Sequence, residues 1–104
     1  MREMNKDKIK EIGIDQLERL YVTPQVESFP FIYREAMEIN WDEKRKCLFA
    51  PKPREWSRLD WFKQIISAAS EQGCIMEISE ETKWVNIPGE LKSEIISWLK
   101  EQNA

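Results

Sequence analysis

No apolar run in this chain exceeds four residues, and that bounds its fold more tightly than any other feature. Cys47-Leu48-Phe49-Ala50 is the longest such run, and Phe31-Ile32-Tyr33 is typical of the rest. A membrane-spanning helix needs about 20 mostly apolar residues, so none is expected. The core has to be assembled from short elements, each presenting one apolar face. The period at which apolar residues recur then becomes the main guide to those elements.

Residues 1–22 read as helical, because Ile9, Ile12, Leu17, Leu20 and Tyr21 recur at mostly helical spacing between charges. Gly13 falls where a glycine would stop a helix, and Asp15 with Glu18 resembles a capping box. The expectation is two short helices, about 3–12 and 16–22, ended by Thr23-Pro24. From Phe31 to Trp41 the period changes. Phe31, Tyr33, Met37, Ile39 and Trp41 share one parity, broken only by Glu35. That alternation predicts a strand, and with the polar 42–46 turn and the 47–50 return it predicts a β-hairpin over about 31–50.

Pro51 and Pro53 make the next segment a loop. Ser57 and Asp60 form a second capping-box pattern, ahead of a helix over 58–72 whose apolar stripe includes Leu59, Phe62, Ile66 and Ala69. Gly73 ends it. Two short strands, 74–78 and 83–87, are expected to pair as another hairpin. Pro88 then opens a last helix reaching about Lys100. The predicted fold is therefore one α+β domain, 1–104. An N-terminal helical segment precedes two β-hairpin–helix units (α-ββα-ββα), with an antiparallel sheet packed against the helices.

The chain of 104 residues contains no histidine. That removes Ser-His-Asp and Cys-His catalysis and the common zinc sites. Its three glycines stand alone, so no phosphate-cradling loop is present. Cys47 and Cys74 lie far from any C-x-x-C spacing and read as buried core thiols of a reducing compartment. Acid pairs such as Glu80-Glu81 and Asp42-Glu43 fall in predicted turns, where solvation explains them. No catalytic residue, metal site or cofactor is expected. The N-terminus alternates charges and lacks the apolar region of a secretory signal, so a cytoplasmic location and no membrane partner are expected.

What remains is surface. Five tryptophans in so short a chain are first of all core anchors, and Trp61 and Trp98 sit on inward helix faces. Trp56 lies at a loop-to-helix junction. Trp84 shares its parity with Asn86 rather than with Val85 and Ile87, which points it away from the core. Residues 42–63 hold seven Lys or Arg against four Asp or Glu, while 64–104 hold three against seven. Lys44, Arg45, Lys52, Arg54 and Arg58 in the basic stretch, with Trp56 and Trp84, are the candidate binding residues.

Basic and aromatic groups together suit a nucleic-acid strand, but a sequence pI near 5.1 opposes that reading. A basic surface on one copy meeting the acidic C-terminal third of another is the alternative. The expectation is a non-enzymatic binding protein that recognises a protein partner, a second copy (a homodimer) or a small apolar ligand through aromatic residues. Nucleic-acid-associated regulation through 42–63 stands second. The short, charge-rich chain has the character of a prokaryotic accessory gene product, although no motif ties it to a family.

Overall fold

The computed structural model describes residues 5–102. The chain begins with strands: β1 (Asn5–Ile14) and β2 (Leu20–Pro24) form an antiparallel hairpin. This overturns the predicted N-terminal helices, whose first residues also fall outside the described ones. The reason lies in one residue. The register of the hairpin shifts between Ile9 and Glu11, so Lys10 is an inserted bulge residue. The bulge lets Ile9 and Ile12, three apart, both bury completely. A three-residue apolar spacing imitates a helix when a bulged strand produces it.

The Asp15–Glu18 pattern makes the hairpin turn rather than a cap. Asp15 Oδ1 accepts from the amides of Leu17 and Arg19, both at 2.9 Å, and Oδ2 accepts from Arg19 Nε at 2.9 Å. Burial acts to raise the Asp15 pKa, but those amide bonds and the Arg19 guanidinium outweigh it and hold the carboxyl below its ordinary value. Glu18 takes the left-handed conformation, φ 63°, that closes the turn.

The predicted 31–50 hairpin survives only at its tip, as β3 (Asn40–Asp42) and β4 (Cys47–Phe49). Ahead of it the chain makes a 3-10 turn, Ile32–Arg34. The alternation there is broken: of the predicted inward parity Ile39 alone in this stretch is buried, together with Ile32 and Ala36 of the other. Ile32, Ala36 and Ile39 are buried, whereas Phe31, Tyr33 and Met37 are exposed.

The helix predicted over 58–72 is present as α1 (Arg58–Glu71), with Ser57 Oγ accepting from the Asp60 amide at 3.1 Å and the Asp60 carboxylate accepting from the Ser57 amide at 3.2 Å. The last helix is α2 (Gly89–Gln102). Between them β5 (Cys74–Glu77) and β6 (Lys83–Val85) do not form a hairpin. Both lie parallel to β1, β5 beside residues 5–8 and β6 beside 11–13. The sheet is mixed, not antiparallel, in the order β3-β4-β2-β1-β5, with β6 also on β1. A crossover through α1 supplies the parallel return that a tight turn cannot.

At the gap between β5 and β6, Thr82 Oγ1 donates to the Ile9 carbonyl at 2.6 Å and accepts from the Ser79 amide at 3.0 Å. The hydroxyl fills a rung that no strand supplies. Asp7, with Thr82 one of the two buried polar or charged residues among those described, accepts from the amides of Val26 and Glu27 at 3.0 and 2.9 Å, which pins the chain leaving β2. α1 packs on β5, β2 and α2, and the buried side chains, including Ile12, Leu48, Phe62, Met76 and Ile95, form one core cluster.

Candidate ligand cleft

The loop from Pro51 to Trp56 leads straight into the Ser57 cap, and this junction builds a cleft that gathers several of the candidate residues. With Ser57 as the N-cap, Trp56 is the residue before it and Trp61 is the fourth helical position. Apolar residues at those two places pack as a staple that fixes how a chain enters a helix. The two indoles lie 4.8 Å apart between centroids with their planes at 45°. The staple leaves Trp56 45% exposed, so one of its faces remains open.

Together the indoles wall a cleft of about 410 Å³, with Glu38, Pro51, Lys52, Arg54 and Glu55 around them. The Trp61 Nε1–H is enclosed by protein atoms and meets no acceptor. A buried donor left unpaired costs about 1–3 kcal/mol, and the atoms that enclose it have to part before an acceptor can reach it. Arg58 Nε is enclosed and unpaired in the same way, although Arg58 Nη2 reaches the Glu18 carbonyl at 3.4 Å.

Lys52, Arg54 and Trp56 are thus brought to one cleft, with Arg58 opening the helix beside it. The remaining candidates sit elsewhere. Lys44 is exposed in the β3–β4 turn. Arg45 stacks 4.7 Å over the Tyr21 ring and reaches Asp15 at 3.5 Å. Trp84 is half-buried against the core, not turned away from it, because it pairs with Ile12 on the core-facing side of the sheet. Lys92 lies 5.3 Å above its ring. Trp61 and Glu38 belong to the cleft although sequence reasoning assigned neither to it. The spacing of Trp56 and Trp61 across the capping box is the signal that could have found the first. Glu38 arrives from a distant loop and leaves no local signal.

Several cations of the basic stretch are paired, mostly with carboxylates from outside it. Lys52 pairs with Glu18 at 2.6 Å, Arg54 with Glu38 at 3.8 Å and Lys46 with Glu43 at 2.6 Å. Hydrogen bonding by Lys52 holds the Glu18 carboxyl below its ordinary value. Burial pushes both thiols, Cys47 and Cys74, up to about 11, far from the depressed values of reactive cysteines. Among the described residues, no three His, Cys, Asp or Glu side chains gather as metal ligands would.

A model of the family described as Integron Cassette Protein Hfx_Cass5 matches residues 7–82. The chain belongs to that family. The matched span runs from the buried Asp7 to the Thr82 clip and contains the whole Trp56–Trp61 cleft. The chain is also 44% identical to a solved structure titled as coming from the mobile metagenome of North West Arm Sewage Outfall, Integron Cassette Protein Hfx_Cass5; the likeness covers 93% of this chain and 98% of that one, with a TM-score of 0.48. The search of curated proteins found no match. The family name refers to an integron cassette and to no activity. No helix among the described residues is long and apolar enough to cross a membrane.

Proposed function

We propose that this Hfx_Cass5-family protein is a non-enzymatic binding module whose Trp56–Trp61 cleft takes a small apolar ligand carrying a ring and a hydrogen-bond acceptor. The observation that carries this reading is the pair of indoles 4.8 Å apart beside an enclosed, unpaired Nε1–H. Small-molecule sites occupy roughly 300–1,000 Å³ and combine apolar walls with a few placed polar groups. A flat ring on the open face of Trp56 gains stacking contact, and an acceptor on it meets the Trp61 N–H once the atoms enclosing that group give way. Binding without chemistry is favoured by two poorly ionised thiols and by the missing histidine.

Nitrogen-edited spectra of the tryptophan indole N–H groups test it with naphthol and naphthoate as probes. The Trp61 resonance is expected to shift on titration, and Trp56→Ala to weaken binding about tenfold, the equivalent of one lost aromatic contact. If no indole resonance moves at millimolar probe, the reading fails.

A second reading, self-association or a protein partner, is favoured by a separate observation: Phe31, Tyr33 and Met37 are 51%, 54% and 93% exposed within one short loop. Sedimentation decides the homodimer: a clean monomer at high micromolar concentration excludes it. Nucleic-acid association through 42–63 loses support, since Arg45, Lys46, Lys52 and Arg54 already face carboxylates.

A further inference from the structure

The gap in the sheet edge gathers three lysines that stand in no ion pair among the described residues. Among the described Lys and Arg residues, Lys6, Arg19, Arg45, Lys46, Lys52 and Arg54 stand in ion pairs. Arg34, Lys63 and Lys92 lie over aromatic rings, and Arg58 donates to a backbone carbonyl. That leaves Lys8, Lys10, Lys44, Lys83 and Lys100. Three of those five, Lys8, Lys10 and Lys83, line a single pocket of about 320 Å³ with Gln25, Ser79 and Glu81.

The fold brings them there by distinct routes. Lys8 is the last rung of β1 beside β5, Lys10 is the bulge residue, and Lys83 opens β6 opposite Glu11. The backbone beneath is held fast: Thr82 ties the loop to the Ile9 carbonyl, and Ser79 Oγ accepts from the Glu81 amide at 3.2 Å. Of the lining residues Glu81 contributes one negative charge against three positive ones; Glu77 and Glu11, in register with Lys8 and Lys83, are engaged by Lys6 and by the Tyr21 hydroxyl. Ser79 and Gln25 add neutral hydrogen-bonding groups.

We propose that this pocket is a binding site for a small oxyanion, a phosphoryl or sulfo group, separate from the tryptophan cleft. Three lysines lining one pocket give it a positive potential, and an anion seated among them meets charge-assisted hydrogen bonds in place of their mutual repulsion. The neighbouring Lys6 is paired with Glu77 at 3.9 Å, so the positive patch ends at the pocket. It is a site for a compact group, not a track for a polymer.

Titration with inorganic pyrophosphate, followed in backbone amide spectra, tests the assignment. Shifts are expected at residues 8–10 and 79–83, weakening with salt. Lys8→Ala with Lys83→Ala should reduce affinity about tenfold or more, by loss of two charge-assisted contacts. Trp56→Ala should leave it unchanged, which separates this site from the cleft. Both lysines are exposed, so the variants are expected to fold, and their amide spectra verify it. A parallel titration with glucose phosphate and free phosphate tells an ester from the free ion, and either satisfies the site. Unchanged affinity in the double variant overturns the proposal, as does equal shifting at Lys44 and Lys100. Tighter binding of a single-stranded oligonucleotide than of pyrophosphate also overturns it.

Discussion

Gly13 sits opposite Tyr21 in the β1–β2 hairpin, and a Cβ placed on it would lie 2.5 Å from Tyr21 Cζ and 2.7 Å from Cε1. The ring has little freedom to yield. Its hydroxyl donates to Glu11 Oε2 at 2.6 Å, Arg45 stacks on it, and the residue is 4% exposed. The glycine is there for space under an aromatic ring, not to end a helix. Gly13→Ala is expected to lower the unfolding free energy in urea by about 1–3 kcal/mol, the usual cost of overpacking. Combined with Tyr21→Val, the same change should cost much less, because the clash is then gone. An additive double variant would show that the ring is not the cause. At this scale the sequence was legible for Ser57, whose cap formed as its spacing predicts. It was illegible for Gly13, Asp15 and Glu18, since the same residue types serve helix ends and hairpin turns.

Among the elements, β6 is as short as β3 and β4, three residues each. Its three residues pair with β1 only beyond the gap where Thr82 bonds the Ile9 carbonyl. Thr82→Val keeps the shape and removes the hydroxyl, leaving a buried carbonyl and the Ser79 amide without partners. A loss of about 1–3 kcal/mol is expected. Amide exchange should accelerate in 83–85 while α1 stays protected; uniform acceleration would refute a local role for the clip. Element type was readable where tertiary structure left local pattern intact. The stripe of α1, bounded by Ser57 and Gly73, is such a case, and Gly73 takes φ 89° past the helix end. It was misread where one inserted residue changed the period, as Lys10 does in β1. It was also misread between Phe31 and Ile39, where alternation arises from a turn that leaves its aromatics outside.

Across the whole molecule, burial sets the response to alkali. Cys47 and Cys74 have ordinary thiol values of 9.0 when exposed and about 11 in the fold. Between those values the native state holds protons that the unfolded chain has released. Their contribution to stability is therefore complete below pH 9.0 and is lost as pH rises toward 11. Tyr21, raised above its ordinary 10.0 by burial and by its bond to Glu11, extends the loss to higher pH. The urea midpoint is expected to fall through this range, and Cys47→Ala with Tyr21→Phe to flatten the fall. A midpoint independent of pH from 8 to about 11 would contradict the assignment.

The sequence by itself determined that helices and short strands mix in an α+β chain and placed both helices, though it set two more where β1 and β2 lie, and it named Trp56, Lys52 and Arg54 among its wider set of candidates. These follow from local period, capping and loop chemistry, which act over a few residues. Only the tertiary structure decided that β5 and β6 both lie against β1, and that Glu38 and Trp61 complete the cleft. It alone brought Lys8, Lys10 and Lys83 to one pocket and gave most cations of 42–63 carboxylate partners. Strand pairing and side-chain convergence join residues dozens of positions apart, and no periodicity in the chain records which distant rung will be filled.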